Sequence, residues 1–152
     1  MTGSTENPAS KAGLIQWVES CMVYDNPAPH IHSRHGYHPG LAQLPNGDLI
    51  ALFLHGEAFE SPDGTTFVSR SCDLGSTWSA ATPLYNKSIL GRESTDTMKP
   101  LVLRDGSVLA TGYRFYRDDL EQGIAIPETA GFLPGDNIVT FSHDGGVSWQ
   151  QP

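Results

Sequence analysis

Apolar residues along this chain fall into short runs, and polar turn residues separate the runs. Residues 40–44 (Gly-Leu-Ala-Gln-Leu) lead into Pro45-Asn46-Gly47 and then into Asp48-Leu49-Ile50-Ala51-Leu52-Phe53-Leu54. Residues 100–103 (Pro-Leu-Val-Leu) lead in the same way into Arg104-Asp105-Gly106 and then into Ser107-Val108-Leu109-Ala110-Thr111-Gly112-Tyr113. Asn-Gly and Asp-Gly between β-rich runs signal hairpins, because they accept the left-handed backbone of a tight turn. No stretch holds a long 3.6-residue period, so the chain reads as all-β. The pattern predicts two antiparallel units. The first has strands near 40–44, 48–55, 65–71 and 79–85, and the second near 99–103, 107–114 and 136–142. The second unit's fourth strand would begin where the chain stops, and residues 14–24 suggest one more strand ahead of both units.

A longer repeat agrees with this division. Ser71-Cys72-Asp73-Leu74-Gly75-Ser76-Thr77-Trp78 recurs as Ser142-His143-Asp144-Gly145-Gly146-Val147-Ser148-Trp149, 71 residues later. Both copies follow a β-type run, and a repeat at such a period marks stacked supersecondary units. Each residue suits a turn. The aspartate can accept backbone N–H groups one to three positions on, the glycine can take positive φ, and the tryptophan can cover a seam between sheets. This is structural work, and it gives Asp73 and Asp144 no role on a substrate.

Composition narrows the picture. With 16 Gly and 11 Pro among 152 residues, turns are frequent enough for many short strands. A net charge of −8 argues against nucleic acid or an anionic membrane surface as partner. No apolar run reaches membrane-spanning length, and residues 1–13 lack the apolar centre of a secretory signal, which leaves the cellular compartment open. Cys21 and Cys72 are 51 residues apart and read as two unpaired thiols.

The repeated phrase resembles the Asp-box, and through it the chain resembles the sialidase (neuraminidase) superfamily of β-propellers over roughly residues 36–152. The resemblance implies a six-bladed β-propeller of sialidase type, of which this chain supplies about two four-stranded antiparallel blades. Residues 1–13 would be a flexible tail, and 14–35 a ring-closing leading strand with its approach segment. Residues 36–90 would form the first blade and 91–152 the second, incomplete blade. A whole ring at about 50–70 residues per blade implies a protein of roughly 350–400 residues, so the chain is expected to be an N-terminal fragment.

Strand alternation puts the short turns and the Asp-boxes at one end of the blades. The long polar segments gather at the other, where function tends to reside. That end should receive residues 29–38, the loop holding Glu57, Glu60 and Asp63, residues 92–96, and a long loop over about 115–135. His30, His32, His35 and His38 invite a metal reading, but no carboxylate or thiol completes a known spacing. Hydrogen bonding to a sugar, or a solvated loop, accounts for them better, and no cofactor is expected. In catalytic sialidases a Tyr-Arg-Ile-Pro segment supplies an arginine that grips the substrate carboxylate. The matching stretch here is Tyr37-His38-Pro39, with His38 in the arginine's place, so an ordinary sialoside is not the expected substrate. The family's general acid/base aspartate lies in the first long loop, which makes Asp63 the nominal match; its competing role is the aspartate of a Pro62-Asp63-Gly64 turn. The family's nucleophilic tyrosine and partner glutamate fall in later blades, so this chain alone is expected to be inactive. Arg34, His35, Tyr37, His38, Glu57, Arg114 and Tyr116 are the candidate sugar-binding residues. Two readings stand open: part of a sialidase-like glycoside hydrolase or related carbohydrate-active enzyme, or a non-catalytic Asp-box propeller that binds a glycan or protein.

Overall fold

The computed structural model describes residues 17–26 and 33–152. The expected tail, His30, His32 and the start of the expected leading strand lie outside them.

The first sheet contains β1 (His35–Gln43), β2 (Leu49–Gly56), β3 (Thr65–Ser71) and β4 (Thr82–Pro83), antiparallel and in that order. The second contains β5 (Ser94–Val102), β6 (Val108–Tyr116) and β9 (Gly135–Ser142), also in order. Between β6 and β9 the long loop carries its own small hairpin, β7 (Ala125–Ile126) and β8 (Gly131–Phe132). The turns at Asn46-Gly47 and Asp105-Gly106 connect β1 to β2 and β5 to β6, as the turn residues predict.

Three boundaries differ from expectation. The inner strands begin earlier, at His35 and Ser94, because β2 and β6 run long and their upper ends pair with what read as approach segments. Tyr37 therefore lies on a strand opposite Leu54, and a bulge between Tyr37 and Gly40 holds His38 at φ 50°. The outer strand β4 shrinks to two paired residues, although Ser79 N and Leu84 N still donate to Arg70 O and Thr66 O on either side. Pro83 has no N–H to extend the ladder. Residues 17–24 form no strand, since no described neighbour offers them a ladder. They lie as an irregular strap, from which Tyr24 packs on Phe53 and on His55 with ring centroids 5.7 and 5.0 Å apart.

The core lies between the sheets. β2 is buried on both faces, in keeping with its unbroken apolar run. Its Ile50 and Leu52 meet Met98, Val108, Ala110 and Ile138 of the second sheet. Below the core sit the two copies of the repeated phrase, with nearly superimposable bonding. Gly75 N donates to Ser71 Oγ at 2.7 Å, and Gly146 N to Ser142 Oγ at 2.7 Å. Thr77 and Ser148 each donate both N–H and hydroxyl to the aspartate four residues before them. The aspartate's reach thus extends one residue beyond the expected three. Those bonds, the Thr77 hydroxyl's first, hold the Asp73 carboxyl at a pKa of about 2, and the Ser148 bonds hold Asp144 lower still. Trp149 packs against the inter-sheet core, as a seam-covering residue should. Arg70 locks the same end: its Nη2 lies 2.7 Å from Asp48 Oδ2 and its Nη1 donates to Gly145 O across the sheets. Cys21 and Cys72 are free and exposed.

Candidate functional site

At the end opposite the repeated turns, four segments converge: residues 33–37, the 56–64 loop, the start of β5, and the 117–134 loop. Residues 61–64 form a tight turn closed by Gly64 N to Ser61 O at 2.9 Å. The Pro62-Asp63-Gly64 turn, the competing role for Asp63, is therefore formed. The turn aims the Asp63 carboxylate at Arg34, which bonds it directly through Nη1. Ser61 Oγ donates to the same carboxylate at 2.5 Å, and Glu57 N lies 3.3 Å from both oxygens. Arg34 Nη2 is 3.5 Å from Glu57 Oε1, so one half-exposed guanidinium spans two carboxylates.

Beside this pair stands an aromatic ledge. The Phe59 ring is 57% exposed, with its centroid 4.9 Å from His38 and 5.8 Å from Tyr37, and His35 lies 6.0 Å beyond Tyr37. His38 Nε2 is buried and has no hydrogen-bond partner. Behind Arg34, His55 Nε2 lies 2.9 Å from the Tyr24 hydroxyl. Burial first, and then the Arg34 charge, lower the His55 pKa, with Asp63 opposing, so the ring is held neutral.

Arg34, His35, Tyr37, His38, Glu57 and Asp63 thus come together, whereas the other two sequence candidates do not join them. Arg114 is only 4% exposed and points between the sheets, its Nη2 3.2 Å from the Tyr85 hydroxyl. It pairs in β6 with Asp96 of β5 and is buried. Tyr116 bonds Asp136 of β9 and carries the Arg92 guanidinium 4.2 Å above its ring, so its contacts belong to the second sheet's own loops.

The structure adds a polar cluster that pattern reading missed. Asp96 is fully buried and accepts from Thr66 N at 3.0 Å, Thr66 Oγ1 at 2.7 Å, Thr65 Oγ1 at 3.2 Å and the Tyr85 hydroxyl at 2.7 Å. Burial first, and then the Asp96 charge, raise the Tyr85 pKa and keep its hydroxyl protonated as a donor. Arg117 is likewise buried, and Tyr113 donates to Glu60 Oε1 at 3.4 Å, its own pKa raised by burial and by that carboxylate. The sequence pattern carried no signal for it, because residues 92–96 read as a polar approach segment and the partners of Asp96 come from residues 65, 66 and 85. Among the described residues no group of three His, Cys, Asp or Glu side chains could hold a metal ion, and no helix is long and apolar enough to cross a membrane.

No family model matches the sequence, and no curated protein matches it. Solved structures do share the fold. A protein of unknown function from Dyadobacter fermentans DSM 18053 is 25% identical, with a TM-score of 0.58 over 80% of this chain and 36% of that one. The Hadza microbial sialidase Hz136 is 19% identical, with a TM-score of 0.57 over 76% of this chain and 25% of that one. The chain therefore spans about a third and a quarter of the lengths of these two neighbours. Its two antiparallel sheets are neighbouring blades of a partial β-propeller of sialidase type.

Proposed function

We propose that this chain is the part of a sialidase-like glycoside hydrolase, or a related carbohydrate-active enzyme, that binds a sugar at the blade end carrying Arg34 and Asp63. The repeated phrase is then an Asp-box pair, a reading supported by the matched bonding of Asp73 and Asp144. The observation that carries the proposal is the meeting of an aromatic ledge with an Arg–carboxylate group at one exposed edge. Phe59 and Tyr37 offer flat apolar faces of the kind on which a sugar ring's C–H face packs, while Arg34, Glu57 and Asp63 offer donors and acceptors for its hydroxyls. His38 stands where the resemblance calls for a carboxylate-gripping arginine, which favours a ligand other than an ordinary sialoside.

In a hydrolytic reaction Asp63 would act as the general acid/base. Hydrolysis would need a second catalytic group on the far side of the glycosidic bond. A non-catalytic glycan- or protein-binding propeller is favoured by a different observation: Asp63 is already saturated by Arg34, Ser61 and the Glu57 amide.

The test is saturation-transfer NMR on the chain with methyl glycosides of galactose, glucuronic acid and N-acetylneuraminic acid. Binding of at least one glycoside, weakened about tenfold or more by Arg34→Met and by Phe59→Ala, is expected. No binding by a folded chain would sink the carbohydrate reading. In a protein that carries this chain together with the remaining blades, glycoside turnover abolished by Asp63→Asn would decide for the enzyme over the binding propeller.

A further inference from the structure

Four of the five backbone carbonyls of residues 60–64 accept from groups outside that turn. Arg117 Nη1 donates to Glu60 O at 2.9 Å, and Thr95 Oγ1 donates to Ser61 O at 2.7 Å. Lys87 Nζ reaches Pro62 O at 3.4 Å and Gly64 O at 3.1 Å, and Asp96 N donates to Gly64 O at 3.3 Å. Two of these donors are cations whose hydrogen bonds go to backbone carbonyls. Arg117 is 4% exposed and its Nη2 also donates to Gln122 O at 2.6 Å, so it ties the 117–134 loop to the Asp63 loop. Lys87 opens a single 3-10 turn (Lys87–Leu90) that Asn86 caps through Ser88 N, which fixes the lysine's origin on the path between the sheets. Desolvating a cation is costly, and such a cost is tolerated where the geometry it enforces is needed.

We infer that Lys87 and Arg117 are positioning residues: from the connection between the sheets and from the loop after β6, they clamp the 60–64 turn and so set where the Arg34–Asp63 pair stands. Neither is placed to touch a ligand bound over Phe59 and Asp63; each acts through the loop backbone. The ligand-binding part of this inference rests on the carbohydrate reading above, whereas the clamp itself does not. A consequence is that the first sheet's site is complete only when the second sheet is docked against it, which couples ligand affinity to the packing between blades.

Amide hydrogen exchange on the 152-residue chain tests the clamp. In Lys87→Met and in Arg117→Met, the Glu57, Ala58 and Gly64 amides, all bonded within the loop, should exchange about tenfold faster or more, while Leu52 and Leu54 in β2 keep their rates. Lys87→Arg, which keeps a cationic donor, should restore most of the protection. Unchanged loop exchange, or loop and core accelerating together, would overturn the clamp. The same variants are then titrated with the methyl glycosides of galactose and glucuronic acid. Weaker binding with unchanged β2 exchange supports coupling to the site. If the loop loosens but the unmutated chain binds none of the three glycosides tested above, the carbohydrate reading falls and the clamp stands. If glycosides bind and the loop stays protected in both variants, the reverse holds.

Discussion

Single side chains here do two kinds of work, and burial separates them. Asp73 and Asp144 are exposed carboxylates that organise turns, while Asp96 is a buried carboxylate that joins sheets. Asp96→Ala would leave Thr66 N and the Tyr85 hydroxyl without their acceptor in a closed interior. The expected cost is about 3 kcal/mol or more, read as a lower urea midpoint. Asp73 and Asp144 predict a pH dependence instead. Their folded pKa values lie below the ordinary value of about 3.9, so their contribution is fully present above that value and is lost as pH falls towards about 2. The midpoint difference between the wild type and Asp73→Asn/Asp144→Asn should therefore be clear at neutral pH and shrink at about pH 2.5. These turn residues were legible from the repeated phrase, because a local turn is built from neighbours in sequence. The buried role of Asp96 was not, since its partners come from residues 65, 66 and 85.

At the scale of elements, alternation along a strand decides what each position tolerates. In β9, Ile138 is 6% exposed and Val139 48% exposed. Ile138→Ala should cost about 2–5 kcal/mol in chemical denaturation, whereas Val139→Thr should stay within about 0.5 kcal/mol. Gly112 in β6 is the sharpest case. A Cβ there would lie 1.8 Å from Thr97 O and 2.8 Å from Met98 Cα, both backbone partners that cannot rotate away. Gly112→Ala should therefore disrupt the β5–β6 pairing and expose the chain to proteolysis. Element existence was readable from apolar runs and turn dipeptides, but the upper ends of β1 and β5 were not. Those residues are polar, and only their ladder partners on β2 and β6 make them strands.

For the molecule as a whole, the two blades share one core, with Ile50, Leu52, Met98 and Val108 meeting between them. Trp78 lies on the first blade's repeated turn, and Trp149 packs against the shared core. Single-tryptophan variants, made by replacing Trp17 and one of these two with Phe, should report coincident urea transitions. Two separate transitions would show that the blades unfold independently. Leu101 of β5 and Phe132 of the β7–β8 hairpin are large apolar residues left 55% and 67% exposed. The sequence alone determined the all-β class, the two units and the repeated turns, because these depend on period, turn chemistry and spacing within a few residues. It also marked Arg34, Glu57 and Asp63 as candidates without showing that they touch. Their meeting, the inward turn of Arg114 and the grip of Lys87 and Arg117 on the 60–64 loop were decided by tertiary structure. Each depends on how one sheet docks on another, and a contact across 20 to 60 residues leaves no periodic trace in the chain.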